Sequence, residues 1–126
     1  MSEIITDKLT GRTTAGDIDV TGEGNSTTTN LQQGLAKVWM HNNYSDNTYR
    51  DSFNCSSLTD GGTGRADHAF TNNMGNINYS GHCSLRNNLN QWWVQSYATT
   101  GCRTASYTGS AYSDQHHKLV VFGDLA

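Results

Sequence analysis

The residues of this 126-residue chain that could do chemistry are five histidines, three cysteines and nine aspartates. The histidines are His41, His68, His82, His116 and His117. His82-Cys83 and His116-His117 are adjacent pairs, and neighbours on a strand point to opposite faces. Neither pair therefore converges on one metal, although an oligomer could still bring one histidine from several chains to a symmetry axis. Cys55, Cys83 and Cys102 form no C-x-x-C motif, and three thiols leave at least one unpaired in a monomer. They read first as small buried hydrophobes; a Cys83–Cys102 bridge and metal binding are the alternatives. A glycosidase needs two carboxylates about 5–9.5 Å apart across a cleft. Asp51, Asp60 and Asp67 could contribute, but most aspartates fall in turns, where Asp bonds its own backbone. Both glutamates, Glu3 and Glu23, lie near the N-terminus. No G-x-S-x-G nucleophile turn occurs. Gly61-Gly62-Thr63-Gly64 has no following Lys and opens no predicted helix, so it is not a phosphate loop. The expectation is a protein without catalytic residues, cofactor or metal.

The composition points to a module that binds or builds. Ser, Thr and Asn number 41 of 126 residues, Gly adds 13, Pro is absent and only 15% of residues are charged; soluble domains average about 25% charged. Leu, Ile, Val and Phe total 20, a thin supply for a core. Three Trp and six Tyr add buriable area, and the net charge is only −3, so an ordered domain is expected whose core is completed by subunit contacts. With a pI near 5.9 and no Lys/Arg cluster to neutralise phosphates, nucleic acid is excluded as a partner. No run approaches the ~20 apolar residues of a membrane span. Met1-Ser2-Glu3-Ile4-Ile5 does not open a signal peptide, so folding in a cytoplasm is expected.

These side chains must be positioned by short strands. Residues 1–30 carry few apolar side chains and read as a flexible arm or a strap on a neighbour, with a loop over 22–30. Asn30 is a candidate N-cap. Leu31, Leu35 and Val38 recur at i, i+4 and i+7, which predicts a short helix running into a strand at 36–41. From Tyr44 onward the pattern is β. Strands are predicted at 52–59, 65–71, 77–85, 91–99, 102–108 and 115–123. The turns between them fall at Asp60–Gly64, Asn72–Asn76, Arg86–Asn90, Thr100-Gly101 and Thr108–Ser110. Spacings near ten residues suggest an antiparallel sandwich or barrel. The run Lys118–Phe122 predicts a central strand, with Phe122 as a large core side chain. Trp92 and Trp93 must face opposite ways. One can be core; the other needs a subunit interface or a ring-shaped ligand such as a sugar.

Four stretches carry a family resemblance: Asp7–Ile18, Leu31-Gln32-Gln33-Gly34-Leu35-Ala36-Lys37-Val38-Trp39, Asp51–Gly64 and Val121–Ala126. Together they resemble short fibre and appendage proteins of tailed bacteriophages, especially those of marine and cyanobacterial hosts. The resemblance implies a virion structural protein, commonly trimeric, with an N-terminal attachment segment and a C-terminal β-sandwich. It implies no cofactor and no catalytic residue. The resulting expectation is an all-β, jelly-roll-like antiparallel sandwich over 41–126. An extended arm and short helix over 1–40 would precede it and contact other virion proteins. Leu31, Leu35, Val38 and Trp39 would anchor the oligomer or attachment contact. Trp93, Tyr107 and Tyr112 would face a host receptor such as a surface glycan. A capsid decoration or head-fibre protein without receptor binding, and a free-standing carbohydrate-binding module, are the alternatives.

Overall fold

Alternation of apolar and polar residues builds about half of this chain into antiparallel sheet. The computed structural model describes residues 3–85 and 91–126; the turn expected at Arg86–Asn90 lies outside them. Two compact units divide at Leu35/Ala36. The division falls before residue 40 because Val38–Met40 already belongs to a sheet of the second unit.

In the first unit, strands β1 (Asp19–Thr21) and β2 (Thr28–Asn30) pair antiparallel. The predicted loop is thus a hairpin, turned with Asn25 at φ 54°. Helix α1 is a single turn, Leu31–Gly34, capped by Asn30, whose Oδ1 accepts from the N–H groups of Gln32 and Gln33 at 2.9 and 3.2 Å. Leu35 is extended, so the predicted i, i+4, i+7 helical face does not form.

The second unit contains β3 (Val38–Asn43), β4 (Thr48–Phe53), β5 (Cys55–Asp60), β6 (Arg65–Phe70), β7 (Ser80–Leu85), β8 (Gln91–Ala98), β9 (Gly101–Tyr107) and β10 (His117–Phe122). They form two four-stranded sheets, ordered β4-β3-β10-β7 and β5-β6-β9-β8. The all-β antiparallel expectation holds. Val38 and Met40 of β3, Leu119 and Val121 of β10, Phe70, Val94 and Cys102 from the other sheet, and Met74 and Tyr79 from the connection between β6 and β7 share one buried cluster.

The single strand predicted over 52–59 is broken at Asn54, where the chain leaves one sheet for the other. Asn54 adopts φ 58°, a left-handed conformation that Asn tolerates better than most residues. Its side chain donates to the carbonyls of Lys37 and Asn72 at 3.0 and 3.1 Å and accepts from the Asn72 N–H at 2.7 Å. The corner is therefore tied by hydrogen bonds to the chain at Lys37 and at Asn72.

Two predicted side-chain directions are corrected. Val38 is 0% exposed and sits in the core, so it cannot anchor a partner. Phe122 follows the fully buried Val121 and so faces outward, half-buried; Leu119 and Val121 are the core residues of β10.

Beneath the sheets runs a buried polar chain. The Tyr49 hydroxyl donates to the Ser57 carbonyl at 2.8 Å and lies 3.2 Å from His68 Nδ1. His68 Nε2 lies 2.9 Å from Thr104 Oγ1, which is 2.7 Å from His117 Nδ1. One proton assignment satisfies every link. His117 Nδ1–H donates to Thr104, Thr104 donates to His68 Nε2, and His68 Nδ1–H donates to Tyr49. Both imidazoles are then neutral. Burial, the largest cause, holds His68 down at about 3 and His117 at about 4. The His117 N–H also donates to Asn42 Oδ1.

Candidate functional site

The outer face of the β5-β6-β9-β8 sheet collects the chemically distinctive side chains. Its registers pair Trp93 with Ala105 and Ala105 with Arg65, and two residues along, Arg103 with Asp67. Directly paired residues share a face, so these five side chains project together, away from the core. Trp92, paired with Ser106, points the other way and is half-buried.

A turn folds back over this face. Thr108 N–H donates to the Ala111 carbonyl at 2.9 Å, and Gly109 has φ 91°. This brings Tyr112 across from Tyr107, ring centroids 5.5 Å apart and edge-on at 79°. Tyr112 also lies 6.4 Å from Trp93, and the Arg65 guanidinium sits 4.1 Å from its ring centroid. The strap beyond is pinned by Gly64. Its N–H donates to Asp114 Oδ1 at 2.5 Å, and its carbonyl accepts from Ser106 N–H at 2.8 Å. Gly64 has φ 67°, and a Cβ there would lie 2.6 Å from the Ser113 nitrogen. No other residue fits. The Gly-rich turn that resembled a phosphate cradle is thus the seat of the aromatic strap.

Roughly 7 Å further along the strands, Asp67 and Arg103 form a two-pronged pair with both N–O distances 2.6 Å. The hydrogen bonds and charge of Arg103 hold the Asp67 carboxyl below the usual carboxylate range. With both side chains partly exposed, the pair adds little to stability; it holds a carboxylate and a guanidinium in a fixed plane. They border an open depression of about 370 Å³ also lined by Ser57, Thr59, Ser96 and Thr100. Rings beside a rigid donor–acceptor pair suit a ligand with an apolar face and hydroxyl edges.

The three receptor candidates, Trp93, Tyr107 and Tyr112, are therefore brought together. Trp93 is 37% exposed. Arg65, Asp67 and Arg103 were missed as partners; the Arg-x-Asp spacing on one strand put the first two on one face, but that the strand bearing Arg103 lies beside it was not readable. Of the proposed anchors, Leu31 is half-buried and Leu35 exposed in the first unit, while Trp39 is 40% exposed on the outer face of the other sheet. There it pairs with Phe53 on one side and Val120 on the other.

Among the described residues, no three His, Cys, Asp or Glu side chains gather as a metal set. The three cysteines are free thiols. Burial pushes Cys55 up to about 11 and Cys83 up to about 12, so they sit protonated within or against the core. No described helix is long and apolar enough to cross a membrane. Compared with known proteins, the chain matches no family model, no curated protein and no solved structure.

Proposed function

We propose that this protein is a carbohydrate-binding β-sandwich that attaches a bacteriophage virion to its host surface, carried as a homotrimer on a fibre or tail appendage. The observation that carries the binding role is the convergence of Trp93, Tyr107 and Tyr112, braced by Arg65, beside the Asp67–Arg103 pair. Aromatic rings offer apolar faces to the C–H faces of sugars, and the ion pair offers charge-assisted bonds to their hydroxyls. Neutral polar surroundings suit weak contacts that many copies on one particle would raise in avidity by about 10²–10⁴.

The virion setting rests on the resemblance of the N-terminal and Asp51–Gly64 stretches to phage appendage proteins. In that setting Leu31 and Leu35 would serve contacts to other virion proteins. The row Phe53–Trp39–Val120 across the first sheet supports contact between copies. The sandwich shares with a jelly roll the pairing of its first and last strands, β3 and β10; it departs from one in the hairpins β3–β4, β5–β6 and β8–β9. A shell-decoration role would leave the aromatic face without work. A free-standing carbohydrate-binding module would use it equally, and electron microscopy of the particle separates that reading from the virion one.

The test is binding to purified host-surface polysaccharide. Trp93→Ala and Tyr112→Ala are each expected to weaken it about tenfold, equivalent to about 1.4 kcal/mol, with the fold intact because neither belongs to the core cluster. Unchanged binding in both variants would remove this face from recognition.

A further inference from the structure

The opposite sheet carries a second, chemically different cavity. It measures about 340 Å³ and is lined by His41, Arg50, His116 and Lys118. All four are basic, in a chain whose net charge is −3. They come from three strands and a loop. His41 and Lys118 are direct cross-strand partners, so they share the outer face. Arg50 reaches that face through a β-bulge. Asp51 pairs with His41 and Tyr49 with Asn42, which leaves Arg50 as the extra residue. Without the bulge, alternation would turn Arg50 inward; bulges re-aim side chains in this way. His116 precedes β10, and its Nδ1 accepts the Tyr44 N–H at 3.1 Å. The neutral ring therefore carries its proton on Nε2 and is a donor there.

No carboxylate lines this cavity. The Asp67 carboxylate is held by Arg103 on the other sheet. Asp51, across from His41, does not line the cavity, and its Oδ1 accepts the Ser52 N–H at 2.9 Å. Burial first, and then the positive charges of Lys118, Arg50 and His116, hold His41 below the ordinary histidine range. Mutual repulsion of this kind is relieved by an anion.

We propose that this cavity binds a doubly charged tetrahedral oxyanion, a sulfate or phosphate group. The inference stands apart from the carbohydrate reading: it uses the other sheet and none of the same residues. Sulfate is the probe of choice, since it stays a dianion while His41 titrates. Added sulfate should shift the His41 and His116 ring signals saturably in NMR spectra and raise the pH at which His41 protonates. By linkage, affinity should then increase as pH falls from 8 to 5. Arg50→Gln and Lys118→Gln should each weaken binding about tenfold; both side chains are exposed, so neither change disturbs the core. Lys8→Gln, which removes the same charge from the first unit, should leave it unchanged. A sulfate monoester of galactose, compared with the inorganic ion, separates the sources. Tighter binding of the ester marks a group carried on a glycan, and equal binding marks the free anion; both uphold the site. The absence of a saturable shift well above millimolar sulfate, or an equal loss in Lys8→Gln, overturns it.

Discussion

Lowering the pH from 7 to 4.5 is expected to remove a large part of the stability of the sandwich. His68 is 2% exposed and His117 is 0% exposed, and the folded protein holds them at about 3 and about 4. Unfolded, both titrate near 6.5. Between those limits the unfolded chain binds protons that the folded chain refuses, so stability falls as pH falls. Each histidine contributes up to about 1.4 kcal/mol per pH unit, and together they cost roughly 2–5 kcal/mol by pH 4.5. Domains of this kind have about 5–15 kcal/mol in total. The groups acting on the pair are His116, which opposes protonation of His117, and Asp114 and Asp67, whose charges oppose the shift. Chemical denaturation at a series of pH values reads the slope, and His117→Gln should roughly halve it between pH 6.5 and 4.5. A flat profile over that range would mean that the two rings are solvated rather than sealed.

Leu119→Ala is expected to cost about 2–5 kcal/mol, as large-to-small changes in a packed core do. Phe122→Ala should cost less, on the order of 1–2 kcal/mol, because its ring is only half-buried. Leu119 is buried with Met40, Val94 and Val121 in the cluster between the two sheets, whereas Phe122 faces outward beside Ser80 on β7. Urea midpoints of the two variants decide the order. A greater loss in Phe122→Ala would reverse the assignment of faces on β10.

That ordering shows where the sequence was ambiguous. Leu119–Phe122 is a continuous apolar run, and such a run does not say which parity faces the core. Only pairing with β3 and β7 settles it, with Leu119 opposite Met40 and Cys83. Val38 was misdirected for the same reason, since a helical spacing and a strand start coincide at one residue. The antiparallel β character, most turn positions and the divergence of Trp92 from Trp93 were legible, because a period of two and Gly/Asn clusters are local signals. Asn54 was hidden inside a well-alternating stretch, where nothing local marks a change of sheet. The β1–β2 hairpin was missed because its residues are polar, and polar runs read as loop.

The aromatic face was half legible. Trp93, Tyr107 and Tyr112 could each be picked out as candidate receptor contacts, but their meeting depends on the β8–β9 register and the turn after Tyr107. The Asp67–Arg103 pair depends on β6 lying beside β9, 36 residues along the chain. Register between distant strands is set by the whole sheet, not by either segment. The cavity of four basic side chains required the bulge at Arg50, an irregularity no periodicity announces.

The most direct test of the carbohydrate-binding face is to follow the indole N–H signals of Trp93 and Trp39 while host-surface polysaccharide is added. The two rings lie on different sheets and are similarly exposed, at 37% and 40%, so each controls for the other. The Trp93 signal should shift saturably while that of Trp39 stays fixed. A shift at Trp39 alone, or at neither, would contradict the assignment of this face to sugar.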